Sequence, residues 1–483
     1  MSSPCPDISL PVDVPADDFA RAVQRTTAWI TAYTGGAAVD HPVLAAVKPG
    51  ELRDALPGAG PAGPDTLDAV LDDFERLIVP GLTHWNSPRF FAYFPASAAL
   101  PGVLAEYLAA AINQNAMLWR TSPAATELEE VCTGWLAGML GLDTAWRGVI
   151  LDTASTSTLT ALAAAREAAG VNVRERGLAE AASLTVYCSA EAHSSVEKAV
   201  MLLGLGTDNL RRIATDADLA LDPAELRLAI ASDVVAGRTP CAVVATVGTT
   251  SSTAIDPVPA IADACAEHGL WLHVDAAYGG NGAVAPSRRF VLSGIERADS
   301  LVVNPHKWLF VPLDLSVLFF RRPEAIASAL SLTPEYLRAE DGVTNLMDYG
   351  HPLGRRFRAL KLWFTLRVLG TDAVADRIEA HCRMARWLAA EVDADPHFER
   401  LAPVPFSTVC LRFRPPGESD EATLEDLNAS LLERVNAAGD IFISHTKLRG
   451  RYVLRVAIGS FRTRGTDVEA AWRTIRASAA ALA

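Results

Sequence analysis

The feature that most constrains this fold is a regular alternation of short apolar runs with helical patterns between about residues 148 and 320. The runs are rich in β-branched residues, as expected for strands that are buried on both faces. Strands that alternate with helices predict a mostly parallel sheet covered by helices on both sides, and hence the α/β class. The runs lie at 148–151, 184–189, 242–247, 270–274, 301–303 and 316–320, with helical patterns near 157–169, 195–203, 222–236 and 258–268.

Two segments that lack this alternation flank the sheet region. Before residue 100 the pattern predicts helices at about 17–33 and 65–78, with a loop rich in Pro and Gly between them and no strands nearby. Such a segment is either an arm that wraps another body or a small helical subdomain of the same chain, and both interpretations stay open. After residue 370, helices and strand-like runs at 407–413, 441–444 and 452–458 predict a small α+β domain. We therefore expect segments 1–99, 100–370 and 371–483.

Local signals predict where some of the helices begin. A helix rich in Ala and Leu should cover about 100–116, and another should start at Pro123 with Ser122 as its cap. Asp222, Pro223 and Glu225 match a capping box with proline at the first helical position.

Charge and cysteine usage exclude several classes of function. The 43 basic and 57 acidic residues give a net charge of −14, which disfavours nucleic-acid binding. No apolar run reaches the roughly 18–20 residues that span a bilayer, and the first residues lack the basic region of a signal peptide. The seven cysteines form no CxxC pair, which favours a reducing cytoplasmic compartment and argues against structural zinc. We expect no nucleic-acid partner, no membrane span and no metal.

Polar residues follow several apolar runs at the point where each predicted strand ends. They are a Ser/Thr stretch at 153–158, His193, Asp275 and Lys307. Each has an ordinary interpretation when taken alone: a helix cap, a loop histidine, a turn residue and a lysine that reaches solvent. Together they would lie at the carboxyl edge of one sheet, where open α/β sheets bind their ligands.

The combination of these groups suits one cofactor, pyridoxal phosphate. Hydroxyls and N–H groups at the helix start near Thr153 suit its phosphate, and an acid such as Asp275 keeps the pyridine nitrogen protonated, so that the ring accepts electrons. Lys307 would react with the aldehyde through its amine, and its apolar neighbours should lower its pKa.

Longer motifs then resemble a known family, the group II pyridoxal-phosphate decarboxylases and, among them, the aromatic-L-amino-acid decarboxylases. The motifs are SPRFFAYFP, SPAATELEE, EAHSSVEKA, HVDAAYGG, NPHKW, PLGRRFRALKLWF and YVLRVAIGS, and the resemblance covers about residues 15–480. It implies the fold type I of pyridoxal-phosphate enzymes: a large domain with a mostly parallel seven-stranded sheet, a small α+β C-terminal domain and a helical N-terminal arm. The arm would clasp a homodimer with shared active sites.

The resemblance also implies residue roles. Lys307 would form the Schiff base, Asp275 would pair with the pyridine nitrogen, and His193 would stack over the ring with Ala277 beneath it. Tyr336 would return a proton to the product, so the catalytic set is Lys307, His193, Tyr336 and Asp275. The other cofactor contacts would be Thr153, where the family usually has serine, with Ala154, Ser155, Thr250, Asn304 and His306.

The substrate positions implied by the resemblance are mainly apolar and aromatic. They are Trp85, Tyr93, Phe94, Pro95, Met117, Leu313 and, from a partner subunit, Gly354. Glycine at the last position leaves room for an indole, so we expect tryptophan to be favoured, followed by phenylalanine, tyrosine or dopa, with an arylalkylamine and CO2 as products.

Three alternative functions remain open from the sequence. They are an aromatic aldehyde synthase, an aminotransferase of the same fold and a cofactor-binding protein without activity. Related aldehyde synthases carry phenylalanine at the tyrosine or asparagine at the histidine, whereas this chain keeps Tyr336 and His193, which favours the decarboxylase.

Overall fold

The computed structural model describes residues 13–36, 41–178, 183–332 and 342–482. Within these ranges the strands form two sheets, one of seven and one of four strands. The strands are β1 (Arg147–Leu151), β2 (Leu184–Ser189), β3 (Leu210–Ile213), β4 (Thr239–Thr246), β5 (Trp271–Asp275), β6 (Ser300–Val303), β7 (Ser316–Phe320), β8 (Phe398–Arg400), β9 (Thr408–Phe413), β10 (Ser444–Leu448) and β11 (Arg451–Ala457).

Sixteen α-helices surround these strands in the same described ranges. They are α1 (Ala16–Gly35), α2 (Glu51–Ala55), α3 (Leu67–Asp73), α4 (Leu100–Ile112), α5 (Pro123–Leu140), α6 (Ala154–Ala168), α7 (Val173–Arg176), α8 (Ser195–Leu202), α9 (Pro223–Val235), α10 (Val258–His268), α11 (Pro305–Trp308), α12 (Pro323–Leu330), α13 (Ala359–Leu369), α14 (Thr371–Ala394), α15 (Glu421–Ala437) and α16 (Gly465–Ala480).

The large sheet has the strand order β1-β7-β6-β5-β4-β2-β3. Strand β7 runs antiparallel to both of its neighbours, and the other pairs are parallel. Six of the seven strands therefore point the same way and end at one edge. The predicted α/β class and the mostly parallel seven-stranded sheet are confirmed.

Helices cover both faces of this sheet, which explains why its strands are apolar along their whole length. Val149 and Leu151 of β1 join one core with α6, α8 and α12, while Ile150 joins a second core with α5, α9, α10 and α13. Alternate residues of a strand point to opposite faces, so each face must be apolar to be buried.

The small sheet has the order β10-β11-β9-β8, and its strands pair antiparallel. Its core is shared with α14, α15 and α16 and also takes in Phe91 from the N-terminal side. Phe91 donates its N–H to Phe442 O at 2.8 Å and accepts from Ala457 N at 2.8 Å. Residues 84–99 therefore run between the two sheets.

The helices before residue 80 pack on each other. Arg25 of α1 donates to Asp72 and Glu75 at 2.7 Å each, and Trp29 meets Phe74 edge to face with ring centroids 5.1 Å apart. This contact is compatible with both sequence interpretations of the segment, and the boundaries near 99 and 370 stay predictions.

At three helix ends the structure differs in detail from the prediction. Helix α4 stops at Ile112 because Asn113 adopts a left-handed backbone with φ of 50°. Ser122 does not cap α5, since its hydroxyl donates to Leu118 O at 2.8 Å. Asp222 does cap α9 through Ala224 N at 2.8 Å, but its own N–H bonds Ala214 O, so Glu225 completes no capping box.

The strand predictions also have exceptions. The apolar run at 441–444 precedes β10 instead of forming it, because the side-chain amide of Asn436 bonds both backbone groups of Ile443. No apolar run predicted β3 or β8, which lie at sheet edges and carry charged residues. None of the helices in the described ranges is long and apolar enough to cross a membrane.

Candidate active site

A cavity of about 200 Å³ opens at the carboxyl edge of the large sheet. Residues that follow β1, β2, β4, β5 and β6 reach it, because these strands are parallel and end together. Its lining is Phe94, Thr153, Ala154, Ser155, His193, Thr246, Gly248, Thr250, Asp275, Ala277, Tyr278, Asn304, His306 and Lys307. All the cofactor positions expected from the sequence therefore lie around one cavity.

One end of the cavity is the start of helix α6. Thr153 is the N-cap residue, and its side chain accepts no capping hydrogen bond. The amides of Ala154 and Ser155, in the first turn, donate to no atom of the described chain. Unpaired N–H groups at a helix start, with nearby hydroxyls, form an anion site suited to a phosphate.

Asp275 ends strand β5 and is 5% exposed. Its Oδ1 accepts the N–H of Ala277 at 3.1 Å, which fixes the carboxylate at the cavity floor. Thr246 of β4 lies directly beside it in the sheet, and its buried hydroxyl has no partner. The carboxylate is thus held in place with one oxygen still available to a ligand.

His193 lies at the mouth of the cavity, between β2 and α8. Its Nδ1 accepts the N–H of Ser195 at 3.1 Å and contacts the Ser195 hydroxyl at 2.9 Å. Because Nδ1 is an acceptor, the proton of the neutral ring belongs on Nε2. Desolvation lowers the pKa of His193, and Asp275 opposes this shift only in part. The neutral ring is therefore the favoured form.

Asn304 and His306 form a buried pair beside the helix start. Nδ1 of His306 accepts the N–H of Leu315 at 2.9 Å, and burial lowers the pKa of His306 to about 3, so its proton is on Nε2. That N–H needs an acceptor, but Asn304 Nδ2 lies 3.3 Å away while Asn304 Oδ1 has no partner. The opposite orientation of the amide satisfies both groups and turns the NH2 toward the cavity.

Lys307 is on the short helix α11, directly after β6. Its Nζ makes no hydrogen bond to the described residues and lies 5.2 Å from the ring centroid of Phe94. Burial lowers the pKa of Lys307, Asp275 partly offsets this, and Arg455 lowers it further. A lower pKa raises the fraction of neutral, nucleophilic amine, as a lysine that reacts with an aldehyde requires.

Arg455 lies in β11, is only 3% exposed and was not among the residues predicted from the sequence. Its guanidinium lies 4.5 Å from the centroid of Phe94 and donates to the backbone oxygens of Ser251 and Tyr93. Within the described ranges its Nη2 has no partner, and its guanidinium bonds to backbone oxygens instead of a carboxylate. A charged residue inside the apolar run YVLRVAIGS was the signal that could have revealed it.

The expected substrate positions separate into two groups. Phe94 lines the cavity and stacks on Tyr278 at 3.8 Å. The other members lie outside the cavity lining: Trp85 and Tyr93 stack on each other at 5.9 Å, Pro95 is buried close to Gly459, Met117 packs by Leu118 and Met347, Leu313 is 65% exposed, and Gly354 is exposed. Tyr336 lies outside the described residues.

The residues around the cavity fit pyridoxal phosphate. The helix start supplies unpaired donors for the phosphate, Asp275 has an oxygen available for the pyridine nitrogen, and the Lys307 amine bonds to none of the described residues. The unpartnered Thr246 hydroxyl and the Asn304 NH2 group that faces the cavity mark a polar space that a ligand would complete. Fold and cavity thus define a pyridoxal-phosphate site at the edge of an α/β sheet.

Comparison with known proteins agrees with this class. The family model of the pyridoxal-dependent decarboxylase conserved domain matches residues 49–414. The chain belongs to this family of pyridoxal-dependent decarboxylases, and it is a carboxy-lyase that uses pyridoxal phosphate.

Individual relatives match over nearly the whole chain. Tyrosine decarboxylase 4 of Petroselinum crispum is 42% identical over 458 residues, covering 92% of this chain and 90% of the relative. Tryptophan decarboxylase TDC2 of Camptotheca acuminata is 42% identical over 454 residues, with 92% and 91% covered. A phenylacetaldehyde synthase of Arabidopsis thaliana is 40% identical over 455 residues, with 92% of each chain covered.

A solved structure matches equally well. The crystal structure of Oryza sativa TDC with PLP and tryptamine has a TM-score of 0.94 at 38% identity. The match covers 98% of this chain and 99% of that chain.

Proposed function

We propose that the protein decarboxylates aromatic L-amino acids to arylalkylamines and CO2, with tryptophan favoured over phenylalanine, tyrosine and dopa. The observation that carries the proposal is the pair of stacked aromatic rings of Phe94 and Tyr278 in the lining of the Lys307 cavity. Planar side chains pack well on such rings. Relatives named for tyrosine and tryptophan decarboxylation support the same substrate class.

Each residue of the cavity receives a role in this proposal. Thr153, Ala154 and Ser155 hold the phosphate, with help from Asn304 and His306, while Thr250 lies beside cofactor and substrate. When bound, pyridoxal phosphate accepts the electron pair released as the bond to the carboxylate breaks. Asp275 keeps the proton on the pyridine nitrogen, and the Lys307 amine binds the cofactor between turnovers.

The neutral ring of His193 and the methyl group of Ala277 hold the two faces of the cofactor ring. His193 lines the cavity with its proton on Nε2 and is thereby placed to pass a proton. We assign the final proton transfer to the substrate Cα to Tyr336, on the strength of the family motif alone.

A panel of L-amino acids tests the substrate class and the alternative activities together. For each amino acid the holoenzyme is assayed for amine, CO2, peroxide, ammonia and transfer of the amino group to a keto acid. We expect amine and CO2 in equal amounts, fastest from tryptophan, without peroxide. Aldehyde with peroxide would indicate an aldehyde synthase, and amino-group transfer without CO2 an aminotransferase.

Two variants test the residue roles in the same assay. Lys307→Ala should lose turnover and the visible absorbance of the bound cofactor, and near-normal catalysis would refute its role. Tyr336→Phe should shift the products from amine toward aldehyde, because the substrate carbon no longer receives its proton promptly and is oxidised by dissolved O2, with release of peroxide and ammonia. An unchanged product ratio would remove Tyr336 from the mechanism.

We further propose that a second copy of this chain completes the active site. One face of α4 is apolar and exposed, with Leu104 at 53% and Ile112 at 57%, and it borders a groove of about 870 Å³ formed with α1, α3 and α13. An apolar face of this extent is typical of a protein interface. Gly354, the position expected from a partner subunit, lines no part of its own chain's Lys307 cavity, which is the placement expected if a partner supplies it.

We also propose a reducing, cytoplasmic location. The six cysteines of the described ranges are all buried as free thiols, and burial raises the pKa of Cys132, Cys188 and Cys241 to about 12 each. Thiols with a raised pKa resist oxidation, and these six cysteines form no disulfide with one another.

A further inference from the structure

A second cavity, of about 530 Å³, lies between the end of α1 and the start of α16. We call it the arginine pocket, because Arg377, Arg462 and Arg464 all line it. It shares no lining residue with the Lys307 cavity. Its volume lies within the roughly 300–1,000 Å³ range of small-molecule sites.

The three guanidinium groups have no carboxylate partner in the part of the chain that the structure describes. Arg462 donates to Ala98 O at 3.3 Å, and Arg377 lies over the ring of Phe461 at 5.3 Å and reaches only Thr463 O, at 3.5 Å. Burial lowers the pKa of Arg462, as expected for a cation without a neutralising neighbour. An unpaired cluster of this kind is unusual on a chain with a net charge of −14.

The one carboxylate on the pocket wall is already engaged. Asp467 pairs with Arg89 Nε at 3.2 Å and accepts the backbone N–H of Arg464 at 3.0 Å. The pocket therefore keeps an excess of positive charge.

The start of α16, a helix of sixteen residues, faces the same pocket. The backbone N–H groups of Gly465 and Thr466, in its first turn, donate to no described atom. These donors add to the three arginines and prefer a negatively charged oxygen.

We propose that the arginine pocket binds a small phosphorylated anion with at least two phosphate groups. Three guanidiniums spread around a cavity of this size match several oxyanions better than one, and planar guanidiniums bind phosphate in a bidentate way. The amino-acid substrate is a poorer match, because it carries one carboxylate together with an ammonium group.

Calorimetric titration of the holoenzyme, freed of excess cofactor, tests this proposal. Inorganic pyrophosphate and ATP are titrated at constant ionic strength, with potassium chloride as the reference and inorganic phosphate as the smaller probe. We expect one site per chain with a Kd below about 1 mM for pyrophosphate. If ATP binds as tightly as pyrophosphate, the phosphate groups alone account for the affinity. If ATP binds more tightly, the nucleoside also contacts the pocket.

Variants locate the binding to this pocket. Arg377→Gln combined with Arg464→Gln should weaken binding at least about tenfold. Arg464→Lys should weaken it less than Arg464→Gln, because the charge stays while the bidentate geometry is lost, and Arg473→Gln, at an exposed position of the same helix, should leave it unchanged. Thermal melts verify that each variant is folded. Absence of binding above the chloride reference, or undiminished binding by the double variant, would overturn the proposal.

Discussion

Arg455 illustrates how a single buried charge reveals what a site is built to receive. Removing a guanidinium from water without a carboxylate partner is costly, yet Nη2 of Arg455 has no acceptor while Phe94 covers the group. A ligand carboxylate close to Lys307 would complete its hydrogen bonding. We therefore expect Arg455 to meet the carboxylate of the amino-acid substrate.

Replacing Arg455 with methionine keeps most of the side-chain volume but removes the charge. We expect kcat/KM for the preferred amino acid to fall by about 10- to 100-fold, the loss expected for one hydrogen bond between charged groups. Binding of the product amine, which has no carboxylate, should change much less. Arg451→Met, at an exposed position of the same strand, serves as the control. Equal losses for amino acid and amine would contradict this role.

Buried histidines make the stability of the protein depend on pH. Burial lowers the pKa of His381 to about 3 and that of His273 to about 4, below the roughly 6.5 of an unfolded chain. The unfolded state thus binds protons first, so the stabilising effect is complete above about pH 6.5 and is lost as the pH falls toward the folded-state values.

Urea unfolding of the holoenzyme between neutral and mildly acidic pH measures this dependence. His381→Gln should reduce its slope, by up to about 1.4 kcal/mol per pH unit, whereas His351→Gln, at an exposed position, should not. An unchanged slope in the first variant would show that His381 does not contribute.

At the scale of elements, α4 and α13 pack closely because Gly102 has no side chain. A Cβ at that position would lie 2.3 Å from Pro312 Cδ and 3.0 Å from the Thr365 hydroxyl. Gly134 in α5 offers a contrast, since a Cβ there would meet nothing within 4 Å.

Gly102→Ala and Gly134→Ala should therefore change stability in opposite directions. The first should lower the free energy of unfolding by about 1–3 kcal/mol through overpacking, and the second should raise it by about 0.5–1 kcal/mol through helix propensity. Urea titrations at one protein concentration compare the two. A stabilised Gly102→Ala variant would show that the helices separate easily.

The strands and helix caps also show how much of the fold could be predicted from the sequence. Apolar runs predicted six strands of the large sheet because both faces of those strands are buried, so the pattern carries a strong signal. The edge strand β3 escaped detection because one side is exposed and two arginines interrupt it. Ser122 was misjudged because its hydroxyl has a competing acceptor in Leu118, which depends on the preceding turn.

The site was predictable to a similar degree. Polar residues that end apolar runs are visible in sequence, and the structure brings Thr153, His193, Asp275 and Lys307 to one cavity. Contacts between distant segments are not visible, and Arg455 meets Phe94 only because two segments 361 residues apart fold together.

For the whole molecule, the exposed face of α4 bears on the number of chains in the working enzyme. Leu104→Glu places a charge on that face, and we expect it to convert a dimer to monomers and to abolish most activity at low protein concentration. Light scattering with size-exclusion chromatography measures the mass. Leu228→Glu, at a 64% exposed position on α9, should leave both properties unchanged.

The reversed strand β7 has a consequence for biosynthesis. Strand β1 pairs only with β7, so Leu151 meets its partner Ser316 after about 165 further residues have been made. At roughly 5–20 residues per second, the ribosome needs about 10–30 s to supply that partner. During this interval the nascent chain must keep an apolar strand and the helix start that follows it from aggregating. This late closure predicts that residues 147–155 need chaperone protection during synthesis.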